Sequence, residues 1–383
     1  MASPVPDPID TSVYVHFPWC AKKCPYCDFA TRAVEPQTIP HEAYADALLR
    51  DLEARRESLR GRRLFSVFFG GGTPSLWSAA ALRRTLEGIR GAFASEVVDL
   101  EITAECNPSS LSEEQAAAFR EAGIGRMSIG VQSLREPHLK FLGRLHDADG
   151  ARRAIRGARA TGVAVSADLM FGMRDQRDIL ADVDALIAEG LDHVSAYALT
   201  IEPGTQFGTL ARMGKLEVAD EDDYARMFLE AEARFAVAGL EHYEVSNYAR
   251  PGFEARHNLH YWRGGDYLAL GAAAVGALSE GTRARRWRNQ KDPEKYLAEP
   301  HEEWSEELDA EVRIQEALML GLRTTEGVDL TALEARVGQD PRVGRKRALA
   351  QGLERGDLRL EGAVLTVPRE RWLRLDGIVA DLF

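Results

Sequence analysis

Cys20, Cys24 and Cys27 lie within eight residues of one another, in the segment Tyr14-Val-His-Phe-Pro-Trp-Cys20-Ala-Lys-Lys-Cys24-Pro-Tyr26-Cys27. Three thiolates at this spacing, on a loop leaving an apolar run, can wrap one small inorganic core. A 4Fe–4S cube is ordinarily held by four cysteines, so three local ligands leave one iron open to an exogenous donor. A zinc site completed by His16 is the competing reading, although structural zinc sites usually come as two spaced ligand pairs. The fourth cysteine, Cys106, stands apart and reads as a small buried side chain.

A second set of residues sits where a small ligand could be cradled. Gly70-Gly71-Gly72-Thr73-Pro74-Ser75 follows an apolar run, and glycines there let backbone approach a partner closely. Glu105, Gln132, Arg144 and Asp168 fall at or just beyond later apolar runs. A carboxylate can hold hydroxyl groups, and an arginine fork can hold a carboxylate. Further on comes His257-Asn-Leu-His260-Tyr-Trp262, two histidines among aromatic rings, which by itself reads as a structural polar–aromatic cluster.

These residues need a scaffold that gathers them. Apolar runs at 12–16, 64–69, 100–105, 127–131, 163–170 and 193–199 predict strands. Helical spacing at 41–60, 78–93, 112–122, 147–160, 177–189 and 221–238 separates and follows them, with Ser110 or Ser112 and Asp147 as capping signals. Six strand–helix repeats predict an α/β fold with parallel strands, arranged as a partial (β/α)6 barrel. A doubly wound sheet is the alternative. In either arrangement chemistry gathers at the carboxyl ends of the strands, where the residues above fall.

Residues 1–245 are expected to form that barrel and 246–300 a connecting segment with little periodicity. Residues 301–383 read as a smaller α+β unit: helices over 308–322, 329–337 and 343–355, then strands 357–360 and 364–367 joined at Glu361-Gly362. Helix, helix and hairpin suggest a winged-helix-like module. The run 283–288, Arg-Ala-Arg-Arg-Trp-Arg, reads as a solvated loop, with a local site for ligand carboxylates as the sharper alternative.

Composition narrows the rest. Asp and Glu total 60 against 48 Lys and Arg, a net charge of −12, so broad phosphate-backbone binding is disfavoured and no nucleic-acid partner is expected. The first residues lack a basic flank and an apolar core, and the longest soft apolar run, 268–278, is too short for a bilayer, so a cytoplasmic location is expected.

The Cys-x3-Cys-x2-Cys pattern, with Tyr26 before the third cysteine, resembles the radical S-adenosylmethionine (SAM) superfamily. There the amino and carboxylate groups of SAM chelate the fourth iron, and an electron from the cluster cleaves the sulfonium. The resemblance implies a 4Fe–4S cluster on Cys20, Cys24 and Cys27. It places SAM among Tyr14, Tyr26, Gly71, Gly72, Thr73, Glu105, Gln132, Arg144 and Asp168. The ribose would lie near Gln132 and Asp168, and the methionine carboxylate near Arg144.

Across nearly the whole chain the sequence is similar to one branch, the oxygen-independent coproporphyrinogen III oxidases and the HemW-type haem chaperones. The oxidases carry a further cysteine two places after the third, where this chain has Phe29, and a longer N-terminal extension. The His257 motif matches the His-Asn-x-x-Tyr-Trp of the HemW type, in which that histidine is implicated in haem binding, with His260 as a second candidate. This resemblance implies haem as a ligand, haem-receiving apo-proteins and an electron donor as partners, and allows a homodimer. It assigns no catalytic residue. The alternative is a true oxidase that decarboxylates coproporphyrinogen.

Overall fold

The computed structural model describes residues 7–383 apart from 175 and 177. The first residues of the chain therefore lie outside the described set, as does the start of the helix expected at 177–189.

Six parallel strands form the centre: β1 (Ile9–Phe17), β2 (Arg62–Gly71), β3 (Ser95–Cys106), β4 (Arg126–Gln132), β5 (Ala164–Phe171) and β6 (His193–Ala198), hydrogen-bonded in that order. Each overlaps an expected strand, and the fifth and sixth expected strands overrun the observed ones by one residue at one end. Helices His41–Ala54, Ala79–Ala92, Glu113–Glu121, Ala148–Ala160 and Leu180–Ala188 fall between successive strands, and Glu221–Val237 follows the sixth. Side chains mark where several begin. Ser112 accepts from Gln115 N at 3.1 Å, and Asp147 from Gly150 N at 2.6 Å. Each satisfies an amide that a helix start leaves free. Of the two candidate serines, Ser112 is the cap; the Ser110 hydroxyl instead meets that of Ser75 at 2.7 Å.

One continuous core runs through this unit, built from the inward faces of the strands and the apolar sides of the helices. The α/β partial barrel is thus realised as the repeats foretell, with Glu105, Gln132 and Asp168 at or near the carboxyl ends of β3, β4 and β5.

The segment 246–300 departs from the expectation of a connector. It supplies β8 (Asn247–Ala249), β9 (Asp266–Leu270), β10 (Val275–Glu280) and β11 (Arg283–Asn289) to the same sheet. With β7 (Glu241–Glu244) and β12 (Glu302–Leu308), the full order is β12-β11-β10-β9-β1-β2-β3-β4-β5-β6-β8-β7. β9 runs parallel to β1, and β10 to β12 then return antiparallel.

The basic run is therefore a strand, not a loop. Across the β11–β12 pair, Arg286 binds Glu306 and Arg285 binds Glu302. Cross-strand pairs of opposite charge stabilise a sheet edge without any apolar alternation, which is why period-two reading misses them. The acidic Glu302-Glu-Trp-Ser-Glu-Glu was the available signal.

Beyond Leu308 a separate core begins. Helices Ala310–Gly321, Leu330–Val337 and Lys346–Glu354 pack with a small sheet made of Val328–Asp329, Val364–Thr366 and Arg359–Glu361. This is the helix–helix–hairpin order expected. Among the described residues no helix is long and apolar enough to cross a membrane.

Candidate functional site

The cysteine loop leaves β1 and is tied down by backbone. Trp19–Cys20 pairs with Arg32–Ala33, and Cys27 N donates to Cys24 O at 3.1 Å. The glycine segment closes over it: Gly72 N donates to Phe17 O at 2.6 Å and Thr73 N to Trp19 O at 2.8 Å. A β-carbon on Gly72 would stand 2.5 Å from Trp19 O, so only glycine permits this approach. Gly71, at φ +102°, donates its N–H to Glu105 at 3.0 Å. The glycines therefore dock the cysteine loop onto the barrel mouth.

All three cysteines are free thiols. Burial raises the Cys20 thiol, against the pull of the Thr73 and Thr31 hydroxyls. Burial also raises Cys27, and the nearby Cys20 and Cys24 add to it. Thiols that share a site and resist ionisation alone are suited to a cationic core that holds them as thiolates.

The zinc alternative fails at its fourth ligand. His16 Nε2 lies 3.0 Å from Ala30 O, which can only accept, so Nε2 carries the proton; Tyr14 OH then donates to Nδ1 at 3.0 Å. Both ring nitrogens are committed.

Arg144 and Gln132 lie beside the cysteine loop. Arg144 donates to Gly130 O at 2.6 Å and reaches Cys24 Sγ at 3.5 Å and Tyr26 OH at 3.4 Å, while its Nε is buried without a partner. Gln132 holds φ +67°, a conformation few non-glycine residues adopt, and its Oε1 is likewise buried and unpartnered. Two buried polar atoms left open beside the cysteine loop are what a polar ligand would satisfy.

Across the mouth, burial and Asp168 push the Glu105 carboxyl up to about 7. Burial pushes Asp168 up to about 6, opposed by hydrogen bonds from Ser195 and Ser128. Two buried carboxyls at one mouth, with Glu105 raised by the charge of Asp168, favour a positively charged ligand. SAM carries a sulfonium and an ammonium. The thiols, the open Gln132 and Arg144 atoms and this acidic pair together fit the cluster and cofactor. When bound, that pair supplies a reductively cleavable sulfonium.

Tyr14, at this mouth, begins a run of rings. It lies 6.2 Å from Phe68, Phe68 4.9 Å from His257, His257 5.0 Å from Tyr261, and Tyr261 4.4 Å from Tyr267. The rings border a cavity of about 900 Å³, which extends from Glu105 to the helix Ala310–Gly321 of the C-terminal unit. That volume is at the upper end of small-molecule sites.

His257 stands in the wall of this cavity on the helix Arg256–Trp262. Glu101, a residue of β3 that sequence reading passed over, holds the helix start: it accepts from His257 N at 2.8 Å and Arg256 N at 3.2 Å. The His257 Nδ1 contacts Ser66 Oγ at 2.7 Å, and Nε2 is buried with no partner. Burial lowers its basicity to about 3, so the ring is neutral. His260, the other candidate, does not share this position. Its Nε2 donates to Asp266 O at 2.8 Å and its ring stacks on Phe65, a structural role.

Glu244 is a further residue that the sequence did not flag. It lies in the cavity wall, accepts from Ser246 N at 3.1 Å, and is pushed up to about 8 by burial.

A barrel of this kind, with three cysteines on its first loop and a polar cradle at its strand ends, defines a radical SAM protein. The Radical SAM superfamily model matches residues 14–188 and the HemN C-terminal domain model residues 308–373. The chain is 40% identical over 271 residues to the heme chaperone HemW of Escherichia coli K12, covering 70% of each chain. It is 36% identical over 350 residues to the heme chaperone HemW of Mycobacterium tuberculosis H37Rv, covering 89% of this chain and 87% of that one. Among solved structures, coproporphyrinogen III oxidase (HemN) from Escherichia coli superposes with TM-score 0.80 at 20% identity, over 98% of this chain and 90% of that one. At that identity the likeness establishes the fold alone. The chain belongs to the HemW-type family of radical SAM proteins.

Proposed function

We propose that this protein binds haem in the cavity beside the SAM cradle and delivers it to haem-receiving apo-proteins. The cluster on Cys20, Cys24 and Cys27 and SAM at the barrel mouth govern that transfer. The observation that carries the reading is the aromatic-walled cavity of about 900 Å³ with a neutral His257 at its side. The names of the similar proteins point the same way. His257 Nε2 is the proposed axial ligand: if Nδ1–H donates to Ser66, Nε2 keeps a lone pair. Phe68 and Tyr261 cover the ring, so ligation requires an aromatic side chain to turn aside. An external electron donor, a homodimer and a cytoplasmic location complete the proposal.

The test is anaerobic reconstitution with iron and sulfide, then titration with haem. Wild type is expected to show a ligated-haem spectrum, and His257→Ala to lose it while keeping the cluster absorbance. Absence of haem binding in a cluster-loaded wild type would overturn the reading. So would sustained conversion of coproporphyrinogen to protoporphyrinogen. Phe29, where the oxidases carry their further cysteine, speaks against that second outcome.

A further inference from the structure

The far wall of the cavity carries two guanidinium groups that, among the described residues, no carboxylate pairs with directly; Asp266 acts on both only at longer range. Arg313 projects from the helix Ala310–Gly321 and Arg336 from Leu330–Val337, and both line the cavity. Arg313 donates to Thr282 O. Arg336 Nη1 donates to Arg263 O at 2.9 Å and to Gly264 O at 3.1 Å. These carbonyls fix the forks in place and leave their other N–H groups free. Among the described residues neither arginine makes an ion pair.

The contrast with the surroundings is sharp. Arg286, on the same wall, is held by Glu306 and Glu316. Asp266, also in the wall, is taken by Arg62 and by Ser279, whose N–H and hydroxyl reach it at 2.8 and 2.7 Å. Burial disfavours the charge on both Arg313 and Arg336, and for Arg336 the nearby Arg313 adds to the effect. In a chain of net charge −12, two adjacent cations left unpaired in one cavity point to an anion brought by the ligand.

The opposite end of the same cavity, at the barrel mouth, carries Glu105. Between the two ends lie the rings of Phe68, Tyr261 and Tyr267. The site therefore runs from a buried carboxyl at the barrel mouth, over an apolar middle, to the two guanidinium groups of the C-terminal unit.

We propose that Arg313 and Arg336 form a receptor for paired carboxylates, which seats a flat apolar dicarboxylic acid with its acid edge against the C-terminal unit. For haem, whose two propionates share one edge, this fixes the orientation of the macrocycle. The inference rests on the haem reading above. It adds that the C-terminal unit selects the ligand by its acid groups.

The experiment compares ferric haem with its dimethyl ester on the full chain, by absorbance and tryptophan quenching. Wild type is expected to bind the diacid at least about tenfold more tightly than the diester. The double variant Arg313→Gln/Arg336→Gln is expected to bind the two within about threefold of each other. Its ester affinity and axial-ligand spectrum should stay at wild-type values, which also reports an intact fold. The lysine pair, Arg313→Lys/Arg336→Lys, is expected to recover part of the preference. Equal binding of diacid and diester by wild type, or an undiminished preference in the glutamine pair, would sink this inference and leave haem binding standing. If wild type binds neither, the haem reading falls and this one with it.

Discussion

Glu105 and Asp168 show how single side chains set the behaviour of the site. In the folded chain they titrate at about 7 and about 6, above the 4.5 and 3.8 of free carboxyls. The native state therefore holds protons that the unfolded chain has already released. This pair's contribution to the stability of the ligand-free protein should fall as pH rises from about 4 through 7. Glu105→Gln should flatten that fall in urea titrations run across the range. A cationic ligand needs the same carboxyls ionised, so SAM affinity should rise about tenfold between pH 6 and pH 8, read by equilibrium dialysis. Affinity independent of pH there would contradict the acidic cradle. Cys20, Cys24 and Cys27 were legible because their spacing is local. Glu101, Ser66 and Glu244 were not, because each acts on partners distant in sequence, and a lone Ser or Glu on a strand carries no signal of what it will face.

Helices and strands were legible where periodicity was strong, and the six central strands follow directly from it. What hid was the extension of the sheet through β9 to β12, whose strands are stabilised by charge pairs and by a buried network. Asp51 anchors that network: it accepts from Arg55 at 2.8 Å, Tyr296 OH at 2.7 Å and Asn289 at 2.9 Å. Asp51→Ala would strand these buried donors and should cost about 3–5 kcal/mol in chemical denaturation. Gly72→Ala tests a different join. Its β-carbon would press on Trp19 O and should cost about 1–3 kcal/mol. Because that contact seats the cysteine loop, the iron content after reconstitution should drop while far-ultraviolet dichroism stays near wild type. Full iron loading in the variant would show that the loop does not depend on this contact.

At the scale of the molecule, the cavity is walled by both the barrel and the C-terminal unit, an arrangement no stretch of sequence displays by itself. Bound haem should therefore slow amide exchange in Ala310–Gly321 and Leu330–Val337 as well as at the barrel mouth, whereas SAM alone should protect only the mouth and the cysteine loop. Protection confined to the barrel would separate the C-terminal unit from ligand binding. The sheet order has a different consequence, one of timing. β1 lies between β2 and β9, and β9 is synthesised roughly 250 residues after β1. At ordinary rates of translation, one edge of the first strand stays open for tens of seconds on the ribosome. The cysteine loop hangs from that strand, so during synthesis it is at its most accessible before the sheet closes beside it. Delivery of iron and sulfide to the nascent chain would meet an open door, and delivery to the finished protein a narrower one.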